Sequence, residues 1–406
     1  MLRCLLRVPT ALLAVLLLGV GPLLAAPLET SPVAPRPLED LHKPHQVRLV
    51  YFVPKDRQPT PNYEAKIKVL MSFVNDVFVR DLAAQGYTIR GLDFEFADGE
   101  LVVHHLTGRE NAVYYNGAPN YDVQMQWRAI GPEVEQTLGT ARDNLYIVLA
   151  ETYDDGPAAW EWPGGLALGA HISSRGGMGI FSAWILRDEF CATTIEEQLK
   201  LFADSTPIAD RIALGHGQMN SPRFEFIEDG FGAVAHELGH ALGLPHDLRD
   251  DSRYIMGNGF RRLRTNFLDN PSASPRVGFS VDNARILAQS RFLAEEPDLE
   301  DETPVTFNFT YPTQLAPDST KFSLKVEAQE AGQLAAVLFR DLTRDTVIGG
   351  GEVAASDKGT VTEIEVPPLA AGELKLEALG IDRGGNISRA FGTVKVVAPE
   401  AKPAEN

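Results

Sequence analysis

"AHELGHALGLPHD", Ala235 to Asp247, sets three histidines and a glutamate within eleven residues, among apolar and glycine positions. On a helix each residue advances about 100°, so His236 and His240, four apart, stand on one face with their imidazoles a turn apart. Both ring nitrogens can then reach one ion, as neutral imidazoles do around zinc at about 2.0 to 2.1 Å. Glu237, next in the chain, swings to the side of that ion, where its carboxylate meets a water rather than the metal. Catalytic zinc sites take three protein ligands and leave the fourth position open, so a third ligand must come from beyond the helix. Gly243 is the residue type that adopts the left-handed backbone ending a helix, and Pro245 discourages its resumption. The chain turns there and returns His246 toward the ion.

The string HELGHALGLPH fits H-E-x-x-H-x-x-G-x-x-H, and "YIMG" places Met256 ten residues after His246. In both features the chain resembles the metzincin metalloproteases. The resemblance implies one catalytic Zn2+ held by His236, His240 and His246, Glu237 as general base and acid, and Met256 beneath the site. It also implies an α/β upper part and an irregular lower part divided by a cleft, and hydrolysis of protein or peptide substrates lying extended along an edge strand. Either "GGLALGAH" or "GGMGIFSAW" fits that strand. Asp247 matches the adamalysin and snapalysin branches, in which this carboxylate contacts lower-domain backbone. Two departures stand out. Astacin and serralysin-type enzymes carry a zinc-contacting tyrosine two residues after the turn methionine, where this chain has Asn258, and its Tyr254 comes two residues before. No cysteine-switch propeptide is visible.

Outward from the motif, the periodicity alternates between strand and helix. "VRLVYFVP" has the β-branched and aromatic content of a strand, and "NYEAKIKVLMSFVNDVFVRDLAAQGY" repeats apolar residues at helical spacing. "GLDFEFADGELVVHHLTG" alternates, "YDVQMQWRAIGPEVEQTLG" is helical, and "NLYIVLAETY" is an apolar strand. "TTIEEQLKLFAD" reads as a helix capped by Thr193 or Thr194, residues 224 to 242 as the helix bearing the motif, and "SVDNARILAQSRFLAEE" as a closing helix capped by Ser280. This order predicts an α/β (α+β) layer with a mixed sheet. After the acidic "EEPDLEDETPV", the segments "TFNFTYP", "KFSLKVEA", "QLAAVLFRDL", "TVTEIEVPPL", "ELKLEALGIDR" and "AFGTVKVV" alternate as short strands. They predict an all-β sandwich, and "LGIDRGGNIS" resembles the last hairpin of immunoglobulin-like modules. The expected divisions are a signal peptide at 1–26, a Pro-rich linker at 27–46, the protease domain at 47–296, an acidic linker at 297–303, the sandwich at 304–398 and a disordered tail at 399–406.

Composition limits the functions available. Lys and Arg number 37 against 55 Asp and Glu, a formal charge of -18, and no basic block interleaves with aromatics, so nucleic acid is not an expected partner. Arg3 and Arg7 precede an apolar run that ends at Ala25 and Ala26, the pattern of a secretory signal. Gly19, Gly21 and Pro22 interrupt that run before it reaches the ~20 residues that span a bilayer. A secreted, extracytoplasmic protein with no stable membrane span after cleavage is expected. Cys191 is the single cysteine beyond that segment, which leaves no intrachain disulfide and suggests a buried small apolar residue.

Other candidates favour structural readings. His104, His105, His171 and His216 lack ligand spacing, so satisfied or solvated histidines are expected. Asp154 and Asp155 suit a structural Ca2+ or a turn before Gly156 and Pro157. "FRRLR", Phe260 to Arg264, suits a salt-bridged loop better than an acid-binding pocket. Trp160 and Trp162 suit either packing or contact with substrate. The functional expectation is a secreted zinc-dependent endopeptidase. Its rivals are a zinc-stabilised extracellular binding or adhesion protein without turnover, against which the retained Glu237 speaks, and a non-proteolytic hydrolase using the same chemistry.

Overall fold

Strand β1 (Val47–Val53) is buried at all seven positions, as a strand covered on both faces must be. Its odd residues, Val47, Leu49, Tyr51 and Val53, join a core with α1 (Tyr63–Ala84), whereas Val50 and Phe52 point into a second core on the opposite face. The short β2 (Phe96–Ala97) and β3 (Glu100–Leu101) form a hairpin ahead of β4 (Val103–Thr107). Helices α2 (Ala112–Asn116) and α3 (Val123–Leu138) cover the second core, to which α3 supplies Ile130 and Val134. β5 (Leu145–Ala150) splits in the same way, sending Leu145, Ile147 and Leu149 to one face and Tyr146, Val148 and Ala150 to the other. This alternation is the two-residue period of a strand, and it makes the layer a helix–sheet–helix stack.

The sheet runs β4-β1-β5-β7-β6 and is parallel except for β6 (Ala167–Ser173), which pairs antiparallel with β7 (Gly176–Ser182) and forms the edge. Of the two candidate edge segments, therefore, "GGLALGAH" takes that place and "GGMGIFSAW" lies one strand inside. A 3-10 turn (Ala183–Leu186) leads to α4 (Ile195–Phe202), capped by the Thr194 hydroxyl, which accepts from Glu197 N. The motif helix α5 (Arg223–Ala241) packs on β6 and β7 at backbone distance. A Cβ on Gly169 would lie 1.8 Å from the Glu237 carbonyl oxygen, and one on Gly177 2.1 Å from that of Ala241. The glycine-rich sequence is the condition for this approach.

The closing helix α6 (Val281–Gln289) starts at the expected Ser280 cap but stops before Ser290, earlier than the apolar pattern suggests. Arg291 is buried and donates to Gly384 O and Asn386 Oδ1, partners that a continued helix would not reach. Every element after it is a strand: β8 (Phe307–Thr310), β9 (Gln314–Leu315), β10 (Lys321–Ala328), β11 (Leu334–Asp341), β12 (Thr346–Glu352), β13 (Gly359–Glu365), β14 (Gly372–Asp382) and β15 (Ile387–Val396). They form two sheets, β13-β10-β8 and β12-β11-β14-β15-β9, around a core that includes Leu324, Val326, Val337, Phe339, Leu376 and Val394. β10 alternates exposed and buried residues up to Glu327. β11 is buried from Leu334 to Phe339, because Val337 and Phe339 face the core of the β region while Ala336 and Leu338 join the core of the α/β layer.

The structure is a computed structural model and describes residues 46–156, 160–165, 167–268, 276–365 and 369–397. All of these belong to one compact unit, Val33–Asn406. The expected signal peptide, most of the Pro-rich linker and the C-terminal tail lie outside the described residues. Among those described, no helix is long and apolar enough to cross a membrane.

Candidate metal centre

α5 ends in a Schellman motif. Gly243 N donates to His240 O and Leu244 N to Gly239 O, with Gly243 at φ 96°. Pro245 follows, and the turn brings His246 back against the two helix histidines. The ring centroids lie 4.8 Å apart for His236 and His240, 5.4 Å for His236 and His246, and 4.6 Å for His240 and His246. Their ligand atoms all lie within 4.8 Å of one another. Among the described residues this is the only group of three or more His, Cys, Asp or Glu placed to share an ion.

Each ring is fixed by an acceptor at Nδ1. His236 Nδ1 is 2.6 Å from Ile255 O, His240 Nδ1 2.8 Å from Leu244 O, and His246 Nδ1 2.8 Å from Asp345 Oδ2. Carbonyl and carboxylate oxygens only accept, so the proton of each neutral ring sits on Nδ1 and the Nε2 lone pair is free. Burial, with the neighbouring histidines as lesser causes, pushes His236 down to about 3. Burial likewise pushes His240 down to about 4, although its bond to Leu244 O pulls the other way. Both are therefore uncharged at neutral pH, as metal ligation requires. The residues present fit a zinc ion: three imidazoles of one tautomer, each with its outer nitrogen occupied.

Met256 is fully buried, and a Cβ on Gly239 would lie 2.3 Å from its sulfur, so the methionine sits directly against α5 at Gly239. Its carbonyl accepts from Asp247 N at 2.9 Å. The Asp247 carboxylate is fully buried and is held by Arg249, through Nε at 2.9 Å, Nη2 at 2.6 Å and the backbone N at 3.3 Å. The same guanidinium also pairs with Asp282.

Glu237, next to His236 in the chain, accepts from Gly169 N of the edge strand at 2.7 Å. Burial raises its carboxyl to about 7, while the Gly169 N–H pulls it back. Glu237 also lines a cavity of about 350 Å³ with Val234, Trp160, Glu161, Asp229 and Arg261. Within it Glu161 and Asp229 form a hydrogen-bonded pair of carboxyls, and Arg261 Nη1 lies 2.9 Å from Asp229. Burial and then the Asp229 charge push Glu161 up to about 8, which favours its protonated form at neutral pH. A second concavity, of about 450 Å³, is lined by Asp76, Arg80, Arg253 and Tyr254 and by none of the triad. Tyr254 lines this concavity and not the cavity that Glu237 lines.

The remaining candidates resolve into structural roles. His104 Nε2 meets Glu95 at 2.6 Å, His105 packs on Tyr51 and Tyr63, and His216 Nδ1 meets Ser221 Oγ at 3.1 Å. His171, on β6, lies beside Gly243 and outside the ligand group. Asp154 is occupied by Arg57, Asn116 and Tyr121, and Asp155 pairs with Arg187, which gives no support to calcium there. In "FRRLR", Arg261 and Arg264 pair with Asp229 and Glu228, while Phe260 packs on the His236 ring at 4.8 Å. Trp162 is buried and stacks on Trp184, whereas Trp160 is half exposed at the cavity. Cys191 is buried, which raises its thiol.

Residues 146–295, from β5 to just beyond α6, match the Metallopep model, described as "Putative peptidase family". This segment is similar to a putative peptidase family. A comparison with curated proteins gives no match. Crystal structures of OgpA from Akkermansia muciniphila share the fold. Its catalytically inactive form, in complex with an O-glycopeptide (glycodrosocin) substrate, is 15% identical with a TM-score of 0.57, and the alignment covers 86% of this chain and 92% of OgpA. The wild-type form in P 41 21 2 is 15% identical with a TM-score of 0.55, covering 86% and 93%. The likeness extends across both the α/β layer and the β region.

Sequence reasoning missed Asp345 and the Glu161–Asp229 pair. Asp345 stands 99 residues from His246, and Glu161 lies far from Asp229 in sequence, so no local spacing announces either contact.

Proposed function

We propose that this chain is a secreted zinc-dependent endopeptidase, with a catalytic domain at 47–296 and an immunoglobulin-like domain at 304–398. One observation carries the reading: three imidazoles, each fixed through Nδ1, converge on one point beside a buried glutamate. Zinc held by His236, His240 and His246 supplies Lewis acidity and brings the pKa of water toward neutrality. Glu237 removes the proton from the attacking water and returns it to the leaving amine, a task for which a pKa near 7 is suited. Gly169 N holds that carboxylate against β6, whose outer edge pairs with no described strand and offers backbone groups to an extended peptide. Met256 supports α5 from below.

The test compares wild type with Glu237→Gln on an unstructured protein, with zinc content measured for both. The expected result is equal zinc and a fall in cleavage of at least ~100-fold. Equal cleavage by both removes Glu237 from the mechanism, and zinc binding without cleavage by wild type favours the binding or adhesion protein.

The cavity beside Glu237 favours a particular substrate class. Asp229 is paired to Arg261 and Glu161 is raised to about 8, so the cavity is rich in hydrogen-bonding groups, next to the half-exposed Trp160. That chemistry suits a polyhydroxylated group better than a lysine or arginine side chain. An O-glycopeptide, the substrate class bound by OgpA, meets it. Paired peptides with and without an O-linked sugar test the point: faster cleavage of the glycosylated member is expected, and equal rates reject it.

A further inference from the structure

We propose that Asp345, carried by the β region, is a positioning residue for the third metal ligand, so that the metal centre is completed from outside the α/β layer. The inference rests on reading the triad as a zinc site.

His246 lies on a loop, with its side chain 38% exposed, and has no helix to orient it. The β11–β12 turn supplies what the loop lacks. Val347 N donates to His246 O at 2.9 Å, and Leu248 N donates to Thr346 Oγ1 at 2.8 Å, so the backbone on either side of the imidazole is tied to β12. Asp345, just before these tied residues and held at φ 53°, accepts a hydrogen bond from His246 Nδ1 at 2.8 Å. A carboxylate in this position fixes the tautomer and makes the opposite nitrogen a better donor to a metal.

Asp345 is itself oriented. Its other oxygen accepts from Arg340, which also reaches Glu377 at 3.3 Å. Glu377, almost fully buried, accepts from Arg389 at 2.6 Å, and Arg389 donates to Gly243 O at 3.0 Å. A continuous polar chain of β-region residues therefore runs from the carbonyl of the helix-ending glycine round to the third imidazole, bracketing the turn that presents it. Such a carboxylate–histidine pairing is worth 10- to 100-fold in metal affinity in known zinc sites, roughly.

The test uses the full chain and reads zinc affinity by competition with a chromophoric chelator, alongside thermal melting of the metal-free protein. Wild type, His246→Ala, Asp345→Ala and Asp345→Asn are compared. Expected are tight binding by wild type, its loss in His246→Ala, a fall of about 10- to 100-fold in Asp345→Ala, and a smaller fall in Asp345→Asn, which keeps an acceptor but not the charge. Should the alanine variant fail to fold, the asparagine variant carries the measurement. Wild-type affinity in both Asp345 variants, with His246→Ala still inactive in binding, overturns the positioning role and leaves the zinc site standing. A lowered metal-free melting temperature with unchanged affinity does the same, showing Asp345 to be only a tie between regions. Absence of zinc binding by wild type overturns both readings.

Discussion

His236 and His240 donate to carbonyls 19 and 4 residues away in the chain, whereas His246 donates to a carboxylate 99 residues away. The first two are aimed by elements of the α/β layer alone: a helix sets their spacing, its Schellman turn supplies Leu244 O, and the methionine turn supplies Ile255 O. The third is aimed by a different region of the molecule. The proposed ligand set therefore has two independent means of support, one local and one long-range, and they should fail separately.

Met256→Ala strikes the local arm and carries the largest expected effect. Removing this fully buried side chain from beneath α5 should lower stability by about 2 to 5 kcal/mol, read by urea unfolding of the metal-free protein. A loss below ~1 kcal/mol would mean that α5 does not depend on the methionine for support. Gly243→Ala strikes the junction between the arms. Its φ of 96° strains any side chain, and its Cβ would lie 2.4 Å from Ile387 Cδ1, a flexible tip able to shift. About 1 to 2 kcal/mol of destabilisation is expected, with weakened zinc binding and unchanged helical circular dichroism. Unaltered zinc affinity would show that the turn does not set the position of His246.

The smallest effect sharpens the contrast by falling near the centre but on neither arm. Glu161 and Asp229 are both raised by burial; the contribution of Glu161 to stability is complete below the ordinary carboxylate value of about 4.3 and is lost as pH rises through about 8. The melting temperature of the wild type should thus decline between about pH 5 and 8, and Glu161→Gln should flatten that decline without altering zinc affinity at pH 7. An undiminished slope in the variant would assign the titration to other groups.

What was readable in the sequence follows the same division. The local arm was legible because its information is local: the spacing of His236, Glu237 and His240, the helix-ending Gly243, and Met256 shortly after. Periodicity likewise located β1, α1, β5, α5 and most of the β region, since each buries a face with a regular repeat. β12 went unrecognised because "TVIGGGE" offers three glycines and no alternation, and its residues are mostly half buried. β11 did not reveal its second packed face, because a strand covered on both sides reads as a plain apolar run. Asp345 sits on the turn between these two strands, so the positioning of His246 was hidden in the part of the sequence with the weakest pattern.

The 99-residue separation of His246 from Asp345 also bears on how the molecule is made. A ribosome delivers all three imidazoles well before it delivers the carboxylate that orients the last of them. Completion of the proposed site thereby waits for the β11–β12 turn, and a product truncated before Asp345 that retains the histidine motif lacks the finishing piece.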